Sequence, residues 1–351
     1  MSRPVASVAP RGNLDNYRLH VFVACWLLLA ALCFAFPASV RGADAPRAGG
    51  RETLTVDAFS VVKVRVKAVS DARSRNTLGG DREGTGIVID SSGLILTIGY
   101  LVQEADSVEV SAADGRGVPA SVIAYDFSTG FGLLRAAKPP TVKPIAFGDS
   151  ATVPEREPVL IVGFDGVAPA FVVSRRPFAG YWEYLLDEAI YTAPATVNWQ
   201  GAALINKEGK LLGVGSLVVG DAIGKGQVPG NLFVPIDLLK PILGDLISQG
   251  RTSSKPRPWI GVNTQDLQGK LIVTRVSPDS PADQAGLASG DIIIGIRGEQ
   301  VKGHTDFYRK LWASGDAGTN IVLDVLKGTE IKKFEIHSMD REKYLRPKPT
   351  Y

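Results

Sequence analysis

Short runs of alternating apolar and polar residues, punctuated by glycine and proline, recur through most of this 351-residue chain. A period-two run can bury its apolar face only by pairing with neighbouring strands, so this pattern commits the chain to sheets rather than helical bundles. SVVKVRVKAV (60–69) alternates apolar and basic residues, and GTGIVIDSSGLILT (84–97) reads as two strands joined at Asp90, Ser91, Ser92 and Gly93. SVEVSAADGRGVPASVIAYD (107–126) reads as a hairpin broken at Asp114 and Gly115. EPVLIVGF (157–164) reads as a buried strand, and AALINKEGKLLGVGSLVV (202–219) as two strands around Asn206, Lys207, Glu208 and Gly209. The 38 glycines and 22 prolines agree with many turns and few long helices. Many short strands at regular spacing predict a β-barrel or sandwich.

The first helical periodicity falls at 236–249, IDLLKPILGDLISQ, with Gly250 in the position of a C-terminal cap. RTSSKPRP then reads as a linker, placed at 251–257, and a second unit follows at 258–340. That unit has strands in KLIVTRVS, DIIIGIRG, NIVLDVLK and KKFEIHS, a short helix at 281–285 and a longer one at 305–313. The length itself suggests two domains.

Residues 21–36, VFVACWLLLAALCFAF, form an uninterrupted apolar run after a basic stretch and before Pro37 and the small residues of ASVRGADA. This is the order of a secretory signal peptide. As a helix the run would span roughly 24 Å, short of the roughly 30 Å hydrocarbon core. Residues 1–43 therefore read as a signal peptide cleaved near Gly42 or Ala43, with an uncleaved anchor as the alternative, and 44–55 as a tether. Either way the body is expected outside the cytoplasm, periplasmic or extracellular, or membrane-anchored and facing the periplasm.

The net charge of +3 resides entirely in residues 1–43; elsewhere acids and bases are equal in number. A neutral body argues against nucleic acid as the main partner. Both cysteines, Cys25 and Cys33, lie in the N-terminal segment, so the body offers neither disulfide nor thiolate nucleophile. No glycine-rich phosphate loop, paired-carboxylate motif or metal-ligand spacing occurs, and neither cofactor nor metal is expected. The histidines are His20, His304 and His337, with none between 21 and 303.

GTGIVIDSSGLILT, the D-x-x-T element at Asp126 to Thr129 and the turn in GAALINKEGKLLGVGS together resemble the trypsin-like domain of HtrA/Deg serine proteases. RPWIGV and VSPDSPADQAGLASGDIIIGIRGEQV resemble the PDZ domain that follows it in that family. The resemblance covers nearly the whole body of the chain. It implies a mainly β protein, with a trypsin-like double β-barrel at 56–250, a small α/β PDZ domain at 258–340 and a tail at 341–351, read as mobile from its basic, proline-rich sequence. In the PDZ unit, Trp259, Ile260, Gly261 and Val262 would form the carboxylate-binding loop, and the helix near Phe307 the other groove wall. Gly261 lets such a loop turn tightly and offer backbone N–H groups to a peptide carboxylate. The alternative is that this unit packs on the barrels and binds no peptide.

Serine proteolysis needs a hydroxyl nucleophile, a base and a group that orients the base. Carried over by motif, the histidine position holds Tyr100, the aspartate position Gly130 and the serine position Gln200. A phenol is a poor base at neutral pH, glycine orients nothing, and an amide is not a nucleophile. Lys207 and Ser216 lie near the serine position in sequence, but their spacing selects neither, and they read as a turn lysine and a strand serine. The oxyanion-hole positions are Asn198 and Gln200; with Tyr100 and Trp199 they either line a surviving binding cleft or fill it. The aromatic residues Phe178, Tyr181, Trp182 and Tyr184 are expected to pack their own barrel.

The reading is an exported pseudoprotease of the HtrA/Deg type that binds peptide C-termini or unfolded proteins in quality control. The alternatives are an active serine endopeptidase with a rebuilt site, or a scaffold that regulates an active homologue. The resemblance also implies homo-oligomers or an active HtrA homologue as partners, with membrane contact only through an uncleaved N-terminal segment.

Overall fold

The computed structural model describes residues 59–345. The apolar run at 21–36 and the tether lie outside them. Among the described residues no helix is long and apolar enough to cross a membrane.

The first six strands are β1 (Val61–Ala68), β2 (Asp81–Val88), β3 (Leu94–Ile98), β4 (Ala105–Ser111), β5 (Gly117–Tyr125) and β6 (Phe131–Ala136). They close into a barrel in the order β1-β2-β3-β6-β5-β4. In β1, Val64 and Val66 point inward, while Lys63 and Arg65 point outward and pair with Glu83 across the β1–β2 ladder. The turn between β2 and β3 forms because the Asp90 carboxylate accepts the N–H groups of Ser92 and Leu94, at 2.9 and 2.8 Å.

A second barrel repeats the plan with β7 (Pro158–Gly163), β8 (Gly166–Gly180), β9 (Tyr184–Ala193), β10 (Ala203–Ile205), β11 (Leu211–Val219) and β12 (Gly230–Pro235), in the order β10-β11-β12-β9-β8-β7. The two share one apolar cluster, in which Leu96, Leu101 and Phe131 of the first join Tyr184, Val214 and Leu232 of the second. Closure removes the open edges that a long strand would otherwise expose.

The expected helix at 236–249 is split. A 3-10 turn, Ile236–Leu238, is followed by an α-helix at Leu243–Gln249. Pro241 lies between them; it lacks an N–H and its ring clashes with the preceding turn, so the periodic run cannot continue as one helix. Gly250 caps it as expected, left-handed at φ +73° with its N–H on the Leu246 carbonyl.

The last sheet holds β13 (Val262–Leu267), β14 (Lys270–Val276), β15 (Ile292–Ile296), β16 (Glu299–Gln300), β17 (Asn320–Lys327) and β18 (Glu330–His337). Its order is β13-β14-β15-β17-β18, with β16 beside β15, so β13 is an edge strand. Helix Pro281–Gln284 has Ser280 as N-cap, and helix His304–Ala313 buries Phe307, Tyr308 and Leu311. Part of the tail is ordered, contrary to expectation. Arg341–Tyr344 forms a helical turn capped by Asp340, and Tyr344 packs on Trp259 with ring centroids 4.6 Å apart. An aromatic contact of that size fixes a segment whose sequence alone reads as solvated.

Candidate functional site

Tyr100, Gly130 and Gln200, the residues that the sequence resemblance carries onto the triad positions, come from distant elements and border one cavity of about 610 Å³, a size that suits a ligand. Tyr100 sits on the short helix Gly99–Val102 directly after β3. Its position is held from below by Arg82, a buried guanidinium that donates to the Tyr100 carbonyl at 3.1 Å, the Gln103 carbonyl at 2.5 Å and Ser74 Oγ at 2.8 Å. The Tyr100 hydroxyl donates to the Ser216 carbonyl at 2.9 Å. Burial pushes its phenol well above the usual tyrosine range. A hydroxyl whose proton is both retained and committed to a carbonyl accepts no proton from a nucleophile.

Gly130 ends a turn organised by the Asp126 carboxylate, whose Oδ2 accepts the Thr129 N–H at 2.9 Å and the Thr129 hydroxyl at 2.6 Å. It is left-handed, at φ +85°, and a Cβ there would lie 3.0 Å from Tyr184 Oη. That hydroxyl donates to the Thr129 carbonyl at 2.6 Å. Tyr184 of the second barrel therefore stands where a side chain at position 130 would project.

Gln200 lies in a tightly held loop. Its carbonyl accepts the Thr85 N–H at 2.8 Å, and a Cβ on Gly215 would come within 2.0 Å of the Trp199 carbonyl. Only glycine allows this approach. Trp199 faces Tyr100 with ring centroids 6.5 Å apart. Of the two oxyanion-equivalent residues, Gln200 borders the cavity and Asn198 does not; the Asn198 N–H points to Thr196 Oγ1 at 3.4 Å. Ser216 borders the cavity, whereas Lys207 sits on an exposed turn beside Glu208. Among the described residues no imidazole borders it. His304 Nε2 lies 2.9 Å from Thr264 Oγ1, and His337 Nδ1 lies 2.8 Å from Asn320 Oδ1, both in the last sheet's unit. The cleft is not filled by its own side chains. Its far wall carries Tyr181, Trp182, Trp259, Arg275 and Arg341.

The segment expected to form a carboxylate loop turns tightly at Gly261. Gly261 is left-handed at φ +90°, and a Cβ there would lie 2.3 Å from Ser280 Cβ, so no other residue fits. The Trp259 N–H donates to the Met339 carbonyl at 3.0 Å. The next three N–H groups, of Ile260, Gly261 and Val262, converge on the carboxylate of Glu183, at 3.1, 2.7 and 2.9 Å. Phe307 lies wholly in the apolar core of this unit; the helix residue that reaches toward the loop is Tyr308.

Glu183 follows Trp182 in the connection between β8 and β9, which corrects the expectation that this aromatic segment packs only its own barrel. Trp182 and Tyr184 do stack within the barrel wall, 5.7 Å apart and 11° from parallel, with Phe178 beside them. Tyr181 and Glu183 instead engage the following unit, the Tyr181 carbonyl accepting the Thr264 N–H at 3.1 Å. Glu183, Tyr308, Arg82 and Arg341 were not marked by any motif. The one local oddity, a non-glycine residue at φ +56° at Glu183, is visible only in the backbone.

The two closed barrels with a cleft between them and a PDZ-type sheet behind define a trypsin-like fold joined to a PDZ domain. Residues 84–214 match the trypsin-like peptidase domain family, and residues 258–337 match the PDZ domain family. The chain is 27% identical over 301 residues to "Serine protease Do-like HtrA" of Bacillus subtilis (strain 168), covering 75% of this chain and 65% of that protein. It is 30% identical over 241 residues to "Probable periplasmic serine endoprotease DegP-like" of Marinomonas sp. (strain MWYL1), covering 62% of this chain and 49% of that protein. A solved structure of a variant of the HtrA-type protease AlgW with tripeptide has the same fold, with a TM-score of 0.50 at 20% identity, covering 83% of this chain and 95% of that one. The matches to the two curated relatives span from about half to just under two thirds of their lengths. The chain is thus similar to HtrA-like proteins in its trypsin-like peptidase domain and in the PDZ domain that follows it.

Proposed function

We propose that this HtrA-like chain is an exported, non-catalytic binding protein. Peptide C-termini or unfolded segments engage its PDZ unit, and the former catalytic cleft serves as a second contact surface. The observation that carries this reading is the chemistry of the cavity. Tyr100, Gly130 and Gln200 border it, among the described residues no imidazole does, and the tyrosine's proton is given to the Ser216 carbonyl. Acyl transfer needs a base within hydrogen-bond reach of a nucleophile, and the hydroxyls at the cavity, Ser216 among them, have no imidazole beside them among the described residues. Signal-peptide cleavage near Gly42 or Ala43 and a PDZ unit at 258–340 belong to the same reading.

What the cavity retains suits binding. Trp199 offers an aromatic surface, and Arg275 and Arg341 offer positive charge to an acidic or carboxylate-bearing chain. The test is incubation of the purified protein with unfolded casein, followed by mass spectrometry for new peptides, beside a Tyr100→Phe, Gln200→Ala variant. No new peptides are expected from either. Cleavage that disappears in the variant would refute the reading and assign catalysis to the rebuilt cleft.

A further inference from the structure

A PDZ carboxylate loop is an anion site made of backbone N–H groups, and it reads a carboxylate regardless of whether it belongs to a chain end or a side chain. Here that site is filled from within. Glu183 Oε1 accepts from Gly261 and Val262, Oε2 accepts from Ile260, and the residue is 5% exposed. Two more contacts complete the likeness to a bound peptide. The Tyr181 carbonyl pairs with the Thr264 N–H on the free side of β13, the edge strand to which an extended ligand would add. Leu185 joins the apolar cluster of Ile260, Val262 and Phe307.

The connection is clamped from the helix side as well. The Tyr308 hydroxyl donates to the Gly180 carbonyl at 2.6 Å and lies 3.2 Å from the Glu183 N–H. Carboxylate, strand edge and apolar side chain are the three recognition elements of a C-terminal peptide, and one hairpin tip supplies all three.

We infer that Glu183 is the resident ligand of the PDZ carboxylate loop, and that a free peptide C-terminus with an apolar last residue binds there by displacing the hairpin tip at 181–185. This inference rests on the peptide-binding reading above and adds its regulation. An internal ligand lowers the affinity for an external one by the fraction of time the loop stands empty. If the loop is free for roughly a tenth of the time or less, removing the internal carboxylate tightens peptide binding by about tenfold or more.

The experiment uses the full mature chain and a fluorescent decapeptide ending in leucine, with its C-terminally amidated form as control, followed by anisotropy. Glu183→Gly removes the carboxylate and suits the positive φ; Glu183→Ala removes it while keeping a Cβ. Both variants are expected to bind the free-acid peptide at least tenfold more tightly than the unaltered protein, and neither should bind the amide. Equal affinity in all three proteins would overturn the inference while leaving the peptide-binding reading in place. No binding by any of them would overturn both. A second measurement needs no variant. Saturating peptide is expected to speed amide hydrogen exchange at 181–185 in the unaltered protein, and unchanged exchange there with peptide bound would refute displacement.

Discussion

Raising the pH weakens the union of Glu183 with its loop. Burial pushes this carboxyl up from 4.5 to about 7, against the opposing pull of the three N–H donors and of Arg341. The other titratable groups that face it from the PDZ side are Tyr308 and, stacked on Tyr308 at 5.9 Å, His304. Burial lowers His304 and raises Tyr308. A carboxyl whose folded pKa exceeds its unfolded one holds more protons in the folded state between those two values. Stability therefore falls as pH rises from 4.5 to about 7 and is level in this respect on either side. At about 1.4 kcal/mol per unit, the loss is about 3 kcal/mol. Denaturant titration of the unaltered protein and of Glu183→Gln at pH 4.5 and pH 8 reads it out. His304 titrates in both proteins, so the change in their difference isolates Glu183. The unaltered protein is expected to lose about 3 kcal/mol relative to the variant across that range. A constant difference, or a gain with rising pH, would show that the N–H donors hold the carboxylate ionised against burial and would refute the reasoning.

Gly261→Ala places a Cβ 2.3 Å from Ser280 Cβ at φ +90°, and is expected to cost about 3 kcal/mol in a denaturant titration. Arg82→Met leaves the carbonyls of Gly79, Tyr100 and Gln103 without their buried donor, for a loss of about 3 kcal/mol on the same assay. A triad restored by Tyr100→His, Gly130→Asp and Gln200→Ser is expected to release no casein peptides detectable by mass spectrometry. The aspartate would start from a backbone at φ +85° with Tyr184 Oη 3.0 Å from its Cβ. Proteolysis by that variant would show that Tyr184 gives way.

The strands were legible because period-two alternation and turn chemistry are local. Val64 and Val66 face inward, Asp90 organises its turn and Gly250 caps its helix because each answers to neighbours a few residues away. The break at Pro241 was legible too in principle, since proline's missing N–H is a local fact, but the apolar periodicity around it was the stronger pattern. Tyr344 was not legible as an ordered residue. Its partner, Trp259, lies far away in sequence, and a basic, proline-rich context carries no trace of that contact.

By itself the amino-acid sequence determined the order of the units and the trypsin-like and PDZ-type phrases. These depend on composition and spacing along one stretch at a time. Only the tertiary structure decided that Tyr100, Gly130 and Gln200 border a single open cavity, and that the carboxylate loop holds Glu183 from 77 to 79 residues upstream. A glutamate in a hairpin connection looks like any solvated turn residue. What distinguishes it is a set of N–H groups from another domain, and convergence of that kind exists only once the chain has folded.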